Sequence, residues 1–253
     1  VRRCFMKLAG LQKLTLLDFP GQLACTVFTQ GCNMRCPFCQ NADLVLPDRF
    51  EGSALLPEDA FFSFLESRKG KLAGVAVTGG EPTLQADLPR FLGRIREMGF
   101  LAKLDTNGTN PGMLEQIVKA GLVDYVAMDI KNAPSKYAWT AGVRESQAED
   151  SPAARLQKNV QQSISFLMKG TVPYEFRTTV VNGMHTKEDI VCMARWLQGA
   201  HAWYLQQFIP SERMVGMPDG AECINMSAPS AQQLLDMCEA ARRYVPAVQV
   251  RGI

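Results

Sequence analysis

The stretch Gly74-Val75-Ala76-Val77-Thr78-Gly79-Gly80-Glu81-Pro82-Thr83 decides the fold class. Residues 74–78 read as a buried strand that stops at the glycine pair. Downstream, Leu88, Leu92, Ile95 and Met98 fall at helical spacing, with Pro89 near the helix start. The unit is therefore a strand, a glycine-rich turn and a helix. The same unit recurs on both sides. Strands are expected over 24–29, 101–105, 124–129, 174–181 and 202–208. Helices are expected over 58–67, 113–119, 156–167 and 187–197. A Cys-rich loop reaches about residue 57, and 132–153 reads as a long polar loop or flap. Ser230 is the expected N-cap of a last helix reaching about Arg243. Residues 248–251 read as a short extra strand.

Six successive β-then-α units imply an α/β fold with a mostly parallel sheet and helices outside it. A full eight-unit barrel takes about 250 residues plus its loops. Six units suit the 253 residues better, so a partial, open, TIM-like (β/α)6 barrel is expected. Residues 1–22 would be an N-terminal extension packed on the barrel and 23–210 its core. Residues 211–253 would add a loop, a helix and the short strand to the same domain.

Apolar residues make up 47% of the chain and the formal net charge is +2. No Lys/Arg-rich run occurs, which argues against a nucleic-acid surface. No apolar run approaches the 18 or so residues of a membrane span. Val1-Arg2-Arg3-Cys4-Phe5 is not followed by an apolar segment, so no secretory signal is expected; residues 1–5 read as an upstream extension or frayed tail. A cytoplasmic protein is the expectation. Cysteines stand at 4, 25, 32, 36, 39, 192, 223 and 238. Three crowd into one loop, a pattern of metal sites in reducing compartments. The other five read as small buried hydrophobes.

Cys32-Asn33-Met34-Arg35-Cys36-Pro37-Phe38-Cys39 carries the strongest chemical signal. Structural zinc commonly takes two close ligand pairs, and no second pair exists, because the only histidines are His185 and His201. Three thiolates suit a four-iron cluster better, with one iron left for a non-protein ligand. On local spacing, zinc with a distant fourth ligand, or thiols without function, stay open.

The remaining candidates are Thr78-Gly79-Gly80-Glu81-Pro82-Thr83, Asp105-Thr106-Asn107-Gly108-Thr109, Met128-Asp129-Ile130-Lys131, Arg177 and Gln206-Gln207. Each alone reads as a turn, a surface pair or a paired strand charge. Together they lie at or near the C-terminal ends of successive strands, the face where (β/α) barrels build active sites.

With those residues assembled, the chain resembles the radical S-adenosylmethionine superfamily. The resemblance rests on C-x3-C-x2-C with Phe38 before the third cysteine, followed by Gly-Gly-Glu-Pro. Gly10-Leu11-Gln12-Lys13, Asp18-Phe19-Pro20-Gly21, Phe28-Thr29-Gln30-Gly31, Asp105-Thr106-Asn107-Gly108, Met128-Asp129-Ile130-Lys131 and Glu175-Phe176-Arg177-Thr178-Thr179 extend it to the glycyl-radical-enzyme activases. The group most similar over residues 6–210 is the anaerobic ribonucleoside-triphosphate reductase activating proteins. Pyruvate formate-lyase activases share most of the pattern. Rival expectations are a small-molecule radical enzyme of the 7-carboxy-7-deazaguanine synthase type and a non-enzymatic zinc or electron-transfer module.

The resemblance implies that Cys32, Cys36 and Cys39 bind three irons of one [4Fe-4S] cluster. S-adenosylmethionine would chelate the fourth through its amino and carboxylate groups. Phe38 would lie by the adenine, with Gly79, Gly80 and Glu81 at the methionyl amino group. Asp105, Thr106 and Asp129, with the Ala127 carbonyl, resemble a monovalent-cation site. Asn107, Lys131, Arg177 and Gln207 complete the expected contacts. Electron transfer into the sulfonium would yield methionine and a 5′-deoxyadenosyl radical, which takes hydrogen from a glycine of the partner enzyme. Cluster and cosubstrate would carry this chemistry, so no catalytic side chain is expected. A flavodoxin or ferredoxin would be the electron donor. Two departures stand out. Residues 40–73 hold no cysteine, so a second cluster is not expected. The last strand carries Gln206-Gln207 where some activases place a histidine.

Overall fold

The computed structural model describes residues 5–50, 52, 54–143, 148, 150–216 and 225–253. Within them one sheet runs in chain order: β1 Leu8–Thr15, β2 Ala24–Thr29, β3 Gly74–Gly79, β4 Leu101–Thr106, β5 Tyr125–Asp129, β6 Tyr174–Val180, β7 Trp203–Gln207 and β8 Val248–Arg251. Neighbours from β2 to β8 pair in parallel, and β1 pairs antiparallel with β2. Among the described residues β1 and β8 do not pair with each other, so the barrel stays open. The helices are α1 Ala42–Val45, α2 Pro47–Phe50, α3 Glu58–Glu66, α4 Leu88–Glu97, α5 Pro111–Lys119, α6 Tyr137–Thr140, α7 Pro152–Leu167, α8 Lys187–Trp196 and α9 Ala231–Arg242.

The six expected parallel strands form as β2–β7. The opening stretch behaves as its pattern implies: Gly74, Val75, Ala76 and Val77 are all buried, as in a strand covered on both faces. In α4, Leu88, Phe91, Leu92 and Ile95 form the buried stripe behind Pro89. Ser230 caps α9 in a reciprocal capping box with Gln233. β8 continues the sheet beyond β7.

Three local expectations change. Residues 8–15 had no assigned strand, yet they form β1, whose middle residues are partly exposed in the manner of an edge strand. Residues 132–153 are not simply a polar flap. A 3-10 turn at Pro134–Lys136 leads into α6, where Tyr137, Thr140 and the following Ala141 are buried. This burial is too short to show as a period in sequence. Among the cysteines read as buried, Cys25 and Cys238 are, but Cys192 is exposed. Cys4 and Cys223 lie outside the described residues, as do residues 1–4 of the expected N-terminal tail.

The interior has a floor and a charged lining. Phe19, 4% exposed, closes the bottom: its ring lies 6.4 Å from that of Tyr125, and a Cβ on Gly74 would meet it at 2.8 Å. Asp18 beside it accepts a hydrogen bond from Thr26 Oγ1 at 2.5 Å. Above, buried Glu175 accepts from Arg251 Nη1 and Nη2 at 3.0 and 2.9 Å and from the Tyr125 hydroxyl at 3.1 Å. Arg251 belongs to β8, so the last strand neutralises a carboxylate that the core strands bury. Phe19→Ala should cost about 3–5 kcal/mol, the usual range for a buried aromatic. A urea melt checks it; a loss below about 1 kcal/mol would show that the floor packs without this ring.

Candidate active site

The C-terminal ends of β2–β7 enclose a cavity of about 380 Å3. Cys32, Cys36, Phe38, Cys39, Gly79, Gly80, Glu81, Asp105, Thr106, Asn107, Asp129, Lys131, Arg177 and Gln207 all line it, whereas Ala127, expected at the cation site, does not. Gln207 borders the cavity with its amide already donated to the Pro229 carbonyl at 2.9 Å. By strand register, Gln206 rather than Gln207 shares the face of Arg177 and Thr179.

The Cys loop is held by the chain itself. Arg35 N–H donates to the Ala141 carbonyl at 2.8 Å, and Arg35 Nη1 donates to the Cys32 and Met34 carbonyls, each at 2.8 Å. Gly142 follows so closely that a Cβ there would meet Arg35 O at 2.3 Å. The supposed flap is thus a clamp on this loop. From the other side, Asn107 Nδ2 donates to Asn33 Oδ1 at 3.0 Å and Asn33 Nδ2 to Thr109 Oγ1 at 2.9 Å. The bracing roles of Asn33, Thr109 and the 137–142 segment carry no signal in the sequence, because they depend on partners more than 70 residues away. Burial pushes the Cys32 thiol up to about 11 and the Cys36 thiol up to about 12, with Lys131 pulling both down.

The Gly-Gly-Glu turn locks two strand ends together. Gly80 N–H donates to the Thr29 carbonyl and Glu81 N–H to the Gly31 carbonyl, both at 2.8 Å. A Cβ on Gly80 would stand 2.0 Å from Gly31 O, so the neighbouring loop alone demands glycine there. Glu81 is fully buried. Its Oε1 accepts from Thr83 N (3.1 Å), Thr83 Oγ1 (2.5 Å) and Thr106 Oγ1 (2.7 Å), and its Oε2 accepts from Asn107 N at 2.6 Å. Burial pushes this carboxyl up and those donors pull it back. Its side chain is therefore a latch between the β3 and β4 ends, while Gly79, Gly80 and Glu81 all border the cavity.

Charges line the opposite wall. Arg177 Nε donates to Asp129 Oδ1 at 3.0 Å and Arg177 Nη1 to Asp105 Oδ2 at 3.2 Å. Lys131 Nζ donates to Asp129 Oδ2 at 3.0 Å, and Lys103 Nζ to Asp105 Oδ1. Burial would raise Asp129, but Arg177 and Lys131 outweigh it and hold the carboxyl at about 2. Lys131 and Arg177 lie above their ordinary values: the carboxylates beside them overcome the opposing effect of burial. Behind them, His185 Nε2–H donates to the Lys131 carbonyl at 2.8 Å while Nδ1 accepts from Val181 N–H at 3.1 Å. The neutral tautomer satisfies both, and burial lowers the His185 pKa accordingly. The ring also meets Phe38 edge-on at 6.3 Å.

Comparison with known proteins gives this arrangement a family. Residues 26–159 match the Radical SAM superfamily. A Methanocaldococcus jannaschii protein assigned as a glycyl-radical enzyme activating enzyme is 30% identical over 250 residues, covering 97% of this chain and 95% of that protein. The chain belongs to the radical S-adenosylmethionine superfamily. A pyruvate formate-lyase-activating enzyme of Clostridium pasteurianum is 33% identical over 132 residues, about half of each chain (50% and 52%). The Streptococcus suis protein SuiB shares the fold, with TM-score 0.61 at 14% identity, over 88% of this chain and 47% of that one.

Membership of this superfamily implies a [4Fe-4S] cluster, and the residues present fit one. The donors are three soft thiols on one loop. All three line the cavity at the strand ends. The monovalent-cation site fits poorly, because both of its expected carboxylates already carry side-chain cations. Among the described residues no helix is long and apolar enough to cross a membrane.

The depressed Asp129 carboxyl sets a pH dependence for stability. Its folded value lies below the ordinary 3.8, so its ion pairs stabilise the protein fully above that value. The contribution is lost as pH falls from about 4 to about 2. Urea midpoints should fall across this window, and Asp129→Asn should flatten that part of the profile. An unchanged slope in the variant would refute the assignment.

Proposed function

We propose that this enzyme is a glycyl-radical-enzyme activase whose partner is an anaerobic ribonucleoside-triphosphate reductase. One observation carries the activase reading: the three thiols, the Gly79-Gly80 backbone and the Asp105/Asp129 charge network face one cavity at the strand ends of an open barrel. The near full-length likeness to the Methanocaldococcus jannaschii protein supports it.

Cys32, Cys36 and Cys39 would hold the cluster, which with S-adenosylmethionine supplies reductive carbon–sulfur cleavage and a 5′-deoxyadenosyl radical. The Gly79-Gly80 backbone would receive the methionyl amino group, and Phe38 would flank the adenine. Lys103, Lys131 and Arg177 together exceed Asp105 and Asp129 by one positive charge, which suits the amino-acid carboxylate. Glu81 and Asn107 keep the loops fixed so that these groups need not reorganise. Ile209, 67% exposed at the cavity rim, offers an apolar lip to an incoming glycine loop. A flavodoxin or ferredoxin would supply the electron, and the activity implies a cytoplasmic protein.

The test mixes the anaerobically reconstituted, reduced protein with S-adenosylmethionine and either the reductase or pyruvate formate-lyase. A glycyl-radical doublet on the reductase, read by electron paramagnetic resonance, is the expected result. A doublet confined to pyruvate formate-lyase would replace the partner. Cleavage of S-adenosylmethionine with no radical on any glycyl-radical enzyme would sink the activase reading.

A further inference from the structure

Two carboxylates face the cavity from β4 and β5, and each of their four oxygens has its own cationic donor. Lys103 takes Asp105 Oδ1 and Arg177 takes Asp105 Oδ2. The same guanidinium takes Asp129 Oδ1, and Lys131 takes Asp129 Oδ2. Lys103 is the unusual member. It sits two residues before Asp105 on β4, on the same inward face, and is 1% exposed. A buried ammonium is costly unless paired, so its place is fixed by Asp105.

We infer that this site uses no metal cation beside the substrate's carboxylate: Lys103 supplies that positive charge from inside the barrel. A monovalent metal ion at Asp105 and Asp129 would have to share these oxygens with the ionised donors already on them. Here those oxygens are engaged, and a further cation would stand beside three positive groups. The same surplus charge is fixed in the fold, so it is present at any salt composition. Lys103 acts through Asp105 and is a positioning residue. The inference rests on the superfamily assignment and is independent of which protein receives the radical.

The test measures S-adenosylmethionine binding by titration calorimetry on the full, anaerobically reconstituted protein. It compares potassium chloride with tetramethylammonium chloride at equal ionic strength, the second cation being too large and too weakly coordinating to serve. Wild-type affinities should agree within about twofold. A wild-type loss of about tenfold in tetramethylammonium, restored by potassium, would overturn the inference. Lys103→Met keeps the length and removes the charge. It should lose about tenfold or more in tetramethylammonium and recover in potassium, as the ion enters the vacated place. A folded Lys103→Met protein that binds as wild type in both salts would equally overturn it. If the variant does not fold, the wild-type salt comparison decides alone. Absence of S-adenosylmethionine binding in every salt would refute the cofactor assignment and this inference with it, whereas failure of the partner proposal would leave these affinities untouched.

Discussion

Cys36→Ala is expected to give a folded protein with little iron and no detectable S-adenosylmethionine cleavage. Cys36 is 5% exposed and lines the cavity between Cys32 and Cys39. With only three thiols on the loop, removing one leaves two, too few to retain a four-iron cluster through an open coordination position. The fold should survive because the loop is pinned by contacts the substitution does not touch: Arg35 to the Ala141 carbonyl, Asn33 to Thr109, and Asn107 to Asn33. Iron and sulfide analysis after anaerobic reconstitution should fall from about four of each per chain, and 5′-deoxyadenosine formation should vanish. Exposed Cys192→Ser is the matched control and should behave as wild type. Full iron and full cleavage in Cys36→Ala would refute the ligand set. One zinc and no iron in the wild type would refute the cluster itself.

Arg177→Met should be the most destabilising single change in the charge network. Arg177 alone touches both carboxylates, so its loss leaves Asp105 and Asp129 each one donor short in a half-buried wall. Breaking a fully buried pair by removing one partner costs about 3–5 kcal/mol, and the partial exposure of both aspartates brings the expected loss to about 3 kcal/mol. In a chain of this size that lowers the melting temperature by roughly 10 °C. Arg177→Lys should recover part of the loss, since one ammonium cannot present the planar two-sided fork that spans both aspartates. A loss under about 1 kcal/mol in Arg177→Met would mean that the aspartates are solvated and the network is not a unit.

Much of the site was legible because barrel strands end in a repeated way. Gly79-Gly80, Asp105-Thr106-Asn107, Asp129 and Arg177 each sit at or near a strand end, and chain order placed those ends on one rim. What each residue does there was less legible. Glu81 was expected at the substrate's amino group, yet its carboxylate is saturated by Thr83, Thr106 and Asn107. Lys103, inside Leu101–Thr106, gave no signal, because a single lysine in a strand reads as solvent-facing until register turns it inward. The 137–142 clamp was hidden for another reason: its burial serves a close approach to Arg35, not a helical stripe.

The sequence by itself determined the β-then-α order, the parallel core and the three-thiol loop. These are local properties: hydrophobic runs, turn glycines and ligand spacing act over a few residues. Only the tertiary structure decided which charges meet. Arg251 reaches Glu175 across 76 residues, and Arg177 reaches Asp105 across 72. Such pairs carry no local pattern, because burial removes water from both partners only once the sheet has curled. The same curl turns inward the strand face that Lys103 and Asp105 share. There the protein's own ammonium engages a carboxylate that the family resemblance assigned to a metal ion.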